Sequence, residues 1–79
     1  MALAERRAEV EARVREQIER HLRVDPGANI ARIVEMQMRQ EQERLERLID
    51  EADEAQSEAL LALMAWLPQF ERELKRRNR

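Results

Sequence analysis

A heptad pattern that stays in phase from residue 34 to residue 66 constrains this chain more than any other feature. Taken in alternating steps of four and three, nine of these ten positions are apolar, and the exception is Glu41. Such spacing places residues on one face of an α-helix and is typical of packed helices. Because no Gly or Pro occurs between residues 28 and 67, the pattern predicts one long helix over 28–67.

A second interpretation divides this segment into two helices. Asp53 and Gln56 resemble a capping box, in which a side chain accepts a hydrogen bond from the start of a helix. A turn between residues 50 and 56 would give three helices of similar length and a compact three-helix bundle. The sequence leaves this alternative open.

The first helix is predicted over residues 3–23. Its apolar stripe has the spacing of one helix face and consists of Leu3, Val10, Val14, Ile18 and Leu22. Residues 8–15 also alternate between apolar and charged, which is typical of a strand, but Ala, Glu and Arg favour helix over strand. A turn is predicted over 24–29, where either Asp25 or Asn29 caps the next helix.

Pro68 interrupts the apolar pattern near the other end. An interior proline removes a helical hydrogen bond and clashes with the preceding turn, so we expect a kink or break before it and a terminal helical segment over 68–77. With 79 residues, the chain is predicted to form one all-α domain, a helical hairpin with a long second helix.

The unequal lengths of the two arms predict self-association. At ~1.5 Å per residue, the first helix spans roughly 32 Å and the second roughly 60 Å, which leaves the far end of the long arm without a partner. A second copy would cover it, most simply in a dimer, with Trp66 and Phe70 as anchors. The predicted interface consists of Leu45, Leu48, Ala52, Ala55, Ala59, Leu60, Leu63, Trp66, Leu67, Phe70 and Leu74.

The distribution of charge favours an antiparallel dimer. Residues 26–67 carry four basic and nine acidic groups, whereas residues 68–79 carry five basic and two acidic groups. Antiparallel helices would place the basic end of one copy near the acidic run at 50–58 of the other. Exposed charges of this kind select partners and orientation more than they add stability.

Candidate residues for other chemistry are few. His21 is the single histidine, and it lacks the neighbouring ligands that a haem or metal site needs. An acidic cluster has no calcium-loop spacing and consists of Asp50, Glu51, Asp53, Glu54 and Glu58. The basic run at 72–79 has no interleaved aromatic residue, so nucleic acid is not the expected partner.

The remaining expectations follow from composition. Cys, Thr and Tyr are absent and Ser57 is the single serine, so we expect no enzyme, metal or cofactor. No apolar run approaches the ~20 residues of a membrane span, and the N-terminus lacks a signal-peptide pattern, so a cytoplasmic protein is expected. A different protein is a further possible partner, docking on the C-terminal apolar helix.

Two resemblances bear on function. The restricted, helix-favouring alphabet and lone turn make the whole chain resemble a de novo designed helical bundle or oligomer, which implies assembly as the function. Residues 9–45, with an alternating stretch, a turn and Asn29-Ile30, resemble ribbon-helix-helix antitoxins. This second resemblance implies a DNA-binding dimer in which a β-ribbon reads DNA and Glu9, Glu11, Arg13 and Arg15 face the groove.

Overall fold

In the computed structural model, which describes residues 3–77, the chain folds into three α-helices. Helix α1 is Leu3–Val24, α2 is Ile30–Glu51 and α3 is Glu54–Arg77. The predicted all-α fold is confirmed, and its arrangement is the compact three-helix alternative. The strand alternative for residues 8–15 is wrong, because α1 is helical throughout that stretch. The ribbon-helix-helix resemblance thus lacks the β-ribbon that DNA reading requires.

The connection between α1 and α2 follows the turn predicted at 24–29. The Asp25 side chain accepts a hydrogen bond from the Gly27 amide at 3.2 Å, and the Ala28 amide donates to the Asp25 carbonyl at 3.1 Å. Asn29 then caps α2 by accepting from the Arg32 amide at 3.4 Å. Of the two predicted caps, Asn29 is therefore the one used.

The prediction of an uninterrupted helix over 28–67 is wrong. Ala52 ends α2 in an extended conformation, with φ −85° and ψ 153°, and the Asp53 side chain accepts from the Gln56 amide at 2.8 Å to begin α3. Any L-residue adopts these angles, so the bend needs neither Gly nor Pro. A cap of this kind stabilises a helix by ~1 kcal/mol, and the bend lets α3 fold back on α2.

The buried face changes stripe at this bend. In α2 the core follows the heptad positions between residues 34 and 66, here called the seam, with Val34, Met38 and Leu45 buried. In α3 it follows the neighbouring stripe through Leu60, Leu63 and Leu67, while the alanines of the seam lie at the surface or are half-buried. The heptad pattern in the sequence continues across residue 52 because several of its positions are alanine. Alanine is apolar and so fits the pattern, but it contributes little buried area.

Pro68 does not divide α3, which is continuous from Glu54 to Arg77. The predicted break between Leu67 and Pro68 is therefore wrong, and a kink within the continuous helix stays a prediction. Pro68 is exposed, so its ring lies on the side of the helix away from the core. The segment predicted at 68–77 is instead the last part of α3.

One apolar core joins the three helices. Its centre is closely packed, with Phe70 only 1% exposed and Val14 and Val34 fully buried. The α2–α3 contact is the larger part of the core, and its buried residues are mainly apolar. Buried apolar residues are Val10, Val14, Ile18, Ile33, Val34, Met38, Leu45, Leu60, Leu63, Trp66, Leu67, Phe70 and Leu74.

Candidate interaction surfaces

Most residues of the predicted interface belong to the chain's own core. Seven of the eleven are buried inside the bundle, namely Leu45, Leu60, Leu63, Trp66, Leu67, Phe70 and Leu74. Leu48 and Ala55 are exposed, and Ala52 and Ala59 are half-buried. The premise that this end lacks an intrachain partner is therefore wrong, because the bend at Ala52 supplies one. Substituting these buried residues tests folding rather than association.

The two aromatic rings illustrate this change of role. Trp66 and Phe70 stack with their centroids 4.9 Å apart and their planes 8° from parallel. The guanidinium of Arg7 lies 5.5 Å from the Trp66 ring centroid, a distance at which a cation–π contact is favourable. These rings join α1 to α3 within one molecule, and they are not exposed as anchors.

An ion pair lies in the contact between α1 and α2. Arg13 donates from Nε and Nη2 to the two carboxylate oxygens of Glu41, at 2.6 and 2.7 Å. The Glu41 side chain is 5% exposed and that of Arg13 is 34% exposed. The hydrogen bonds to Glu41 raise the pKa of Arg13 further, against the opposing effect of burial. This bidentate geometry is strong and directional, so it fixes the position of α1 along α2.

A polar cleft of about 350 Å³ surrounds this ion pair. Gln37 forms part of its wall and is 4% exposed; its side-chain amide has no hydrogen-bond partner within residues 3–77. The other residues lining the cleft are Arg13, Gln17, Gln40, Glu41, Glu43, Arg44 and Arg47. The cleft is open to solvent and rich in hydrogen-bond donors.

A different kind of surface covers the side of α3 that points away from the core, here called the outer face of α3. Its members are exposed and recur at helical spacing: Glu54, Glu58, Leu61, Ala65, Pro68, Arg72 and Arg76. Leu61 is 53% exposed, the second largest exposure among the exposed large apolar side chains. Within the described part of the chain, none of its four charged groups forms an ion pair.

The order of these residues is self-complementary. Two acidic residues come first, three small or apolar residues occupy the middle, and two basic residues come last. Reversing the direction of such a stripe exchanges the signs of its ends. Two copies placed antiparallel would therefore present opposite charges to each other at both ends.

The other charged candidates are distributed differently from the sequence prediction. Asp53 is used as a helix cap, and Lys75 donates to Glu35 on α2 at 3.0 Å, which raises the pKa of Lys75. Arg79 of the basic run lies outside the described residues. Over residues 3–77, no group of three or more His, Asp or Glu side chains is placed to hold a metal ion, and His21 is half-buried near the end of α1.

An apolar groove of about 180 Å³ lies between α2 and α3, lined by Met38, Gln42, Met64, Leu67, Pro68 and Glu71. It adjoins the outer face of α3 at Pro68. None of the helices within residues 3–77 is both apolar enough and long enough to pass through a membrane.

Comparisons with known proteins do not connect this chain to a family. No family model matches it, and neither does any curated protein or solved structure.

Two features were missed at the level of sequence. The Arg13–Glu41 pair had a signal, since Glu41 is the one charged position in an otherwise apolar seam, and a buried carboxylate requires a partner. The outer face of α3 also had a signal in its order of charge.

Proposed function

We propose that this chain is a non-catalytic self-association module that pairs with a second copy through the outer face of α3. The observation that carries the proposal is the exposed, self-complementary order of charge along that face. The two helices run antiparallel about a two-fold axis at Ala65. A homo-oligomer with antiparallel helices is also what the sequence predicts. The proposed interface is different, because it consists of exposed residues of α3.

The register follows from the spacing of the charged residues. With Ala65 on the axis, Arg72 lies opposite Glu58 of the second copy, and Arg76 lies opposite Glu54. The symmetry repeats each contact, so the dimer has four charge pairs. Exposed pairs of this kind contribute little stability individually, but they select the antiparallel register and disfavour the parallel one.

The middle of the face supplies the apolar contact. Leu61 is half-exposed in the single chain, and the small side chain of Ala65 lets the two helix axes approach closely at the crossing. Burial of the remaining apolar area of Leu61 in both copies is worth on the order of 1–3 kcal/mol in total. A contact of this size suits a weak, concentration-dependent dimer.

The same order of charge also favours the helix on its own, because acidic residues near the start and basic residues near the end complement the helix macrodipole. An experiment must therefore separate pairing between chains from stabilisation within one chain. Two variants achieve this. Arg72→Glu with Arg76→Glu makes the face acidic, and Glu54→Arg with Glu58→Arg makes it basic.

We expect each variant to sediment as a monomer at concentrations where the unaltered chain is a dimer. Mixed in equal amounts, the acidic and basic variants should form a one-to-one heterodimer, detectable by native mass spectrometry and sedimentation equilibrium. If these charges acted only on the macrodipole of their own helix, mixing the two variants would not restore dimer formation.

Arg32→Glu with Arg39→Glu is the matched control, because both arginines are exposed on α2 and the change in net charge is the same as in the acidic variant. This control should dimerise like the unaltered chain. A monomeric unaltered chain at high micromolar concentration, or a mixture that stays monomeric, would show that the outer face of α3 does not pair.

A further inference from the structure

The polar cleft between α1 and α2 has a composition unlike that of a packing defect. It combines a nearly buried glutamine, a guanidinium held by a carboxylate and two exposed arginines on one side of the bundle. It shares no residue with the outer face of α3, so its role is independent of self-association.

Arg13 is held in place but is not saturated with acceptors. A guanidinium has five N–H donors, and Glu41 accepts two hydrogen bonds from Arg13. Three donors therefore remain on a group whose orientation is fixed by a nearly buried carboxylate. A positioned donor group of this kind binds an acceptor without the entropic cost of ordering a long side chain.

Gln37 adds a second, independent observation. Its side chain is in the wall of the cleft, is 4% exposed and lacks a hydrogen-bond partner within residues 3–77. The amide is not among the buried side-chain atoms that lack a partner, so it reaches solvent at the wall of the cleft. Its amide is thus available for a molecule that enters the cleft.

The formal charge of the cleft favours an anion. Three arginines and two glutamates line it, and the charge of Glu41 is already matched by Arg13. Arg44 and Arg47 are exposed, three residues apart on α2, and neither forms an ion pair in the described part of the chain. Glu43 also lines the cleft and is exposed, so the lining as a whole carries one net positive charge.

We propose that this cleft binds a phosphate-type oxyanion, either inorganic phosphate or the phosphate group of a small molecule. Arg44 and Arg47 attract the anion, the free donors of Arg13 orient it, and the Gln37 amide donates from the wall. Arginine forks match the geometry of phosphate oxygens, and the volume of about 350 Å³ leaves room for a group attached to the phosphate.

The test is a titration of the full ¹⁵N-labelled chain with inorganic phosphate and then with pyrophosphate, followed by NMR at constant ionic strength. We expect saturable shifts of the Gln37 side-chain amide and the Arg13 Nε–H signals. Arg44→Gln with Arg47→Gln should weaken binding at least tenfold while the circular dichroism spectrum stays the same. Arg32→Gln with Arg39→Gln, on the same helix but outside the cleft, should bind like the unaltered chain.

Sodium chloride at matched ionic strength is the second control, and it should not shift these two signals. The proposal is overturned if phosphate and pyrophosphate cause no saturable shift at Gln37 and Arg13. It is equally overturned if the cleft variant and the control variant bind with the same affinity, since that result identifies general attraction to surface arginines.

Discussion

The two contacts that α2 makes within the bundle are built from different chemistry. Its contact with α3 is apolar apart from the Lys75–Glu35 pair at the surface, whereas its contact with α1 combines a narrow apolar stripe with the Arg13–Glu41 pair. Apolar burial provides stability without direction, and a bidentate ion pair provides direction with little net stability. The hairpin of α2 and α3 thus supplies most of the stability, and α1 is positioned by its polar contact.

Phe70→Ala should have the largest effect, because it removes the most completely buried large side chain from the hairpin. Substitutions of this type cost about 3–5 kcal/mol, which is comparable to the whole stability of so small a domain. We expect the variant to lose its cooperative unfolding transition in urea, as monitored by circular dichroism. Leu61→Ala on the exposed side of the same helix is the control, and equal losses from both would disprove the assignment of the core to this face.

Substituting one member of the Arg13–Glu41 ion pair should lower the free energy of unfolding by less than Phe70→Ala does. The two single substitutions should also differ from each other. Arg13→Leu leaves the carboxylate of Glu41 nearly buried without a partner, at a cost of about 3 kcal/mol. Glu41→Leu should cost less, because the Arg13 side chain is one-third exposed and can reach water. The double substitution should recover most of the loss in a double-mutant cycle by urea unfolding. Additive single effects would show that the two side chains do not interact.

Removing the helix cap at the bend between α2 and α3 should lower the free energy of unfolding by a smaller amount. Asp53→Ala should destabilise the chain by ~1 kcal/mol, since Asp53 accepts a 2.8 Å hydrogen bond at the start of α3. Asn29→Ala is the matched comparison at the start of α2, where the corresponding bond is 3.4 Å long, and its effect should be smaller. Thermal melts of both variants decide the order, and a reversed order would contradict the role given to Asp53.

The Lys75–Glu35 contact should have the smallest effect. The hydrogen bond to Glu35 raises the pKa of Lys75 above its ordinary value of 10.5. Any stabilisation is therefore fully present below pH 10.5 and is lost as the pH rises through the raised pKa. Because the group is exposed to solvent, Lys75→Met should leave the midpoint of unfolding almost unchanged at neutral pH. A large loss would mean that this pair, and not the core, holds α3 on α2.

Much of the helical structure could be read from the sequence, because its signals are local. The Asp25-Pro26-Gly27 turn and the stripe of α1 predicted the first helix to within one residue of its observed end. The bend at Ala52 could not be decided locally. Its extended conformation is open to any residue, and its stabilisation comes from side chains such as Leu63 and Phe70, which meet the rest of the core only after the chain has folded back.

The proposed interaction surface was harder to predict for a related reason. The largest apolar side chains dominate the sequence pattern, and these are the ones a small domain needs for its own core. The residues of α3 that remain exposed can be identified only after the buried residues are known. Leu61 and the charges at the two ends of α3 became recognisable as one face only when the orientation of α3 was known.

The central claim is that α3 folds back on α2 and completes the core of its own chain. A double electron–electron resonance measurement tests it directly, with spin labels at Glu35→Cys and Lys75→Cys in a chain that has no other cysteine and is diluted with unlabelled protein. Those two side chains are in contact in the structure, so a short intramolecular distance is expected. A distance of roughly 60 Å, the rise of a straight helix over the same residues, would contradict the account.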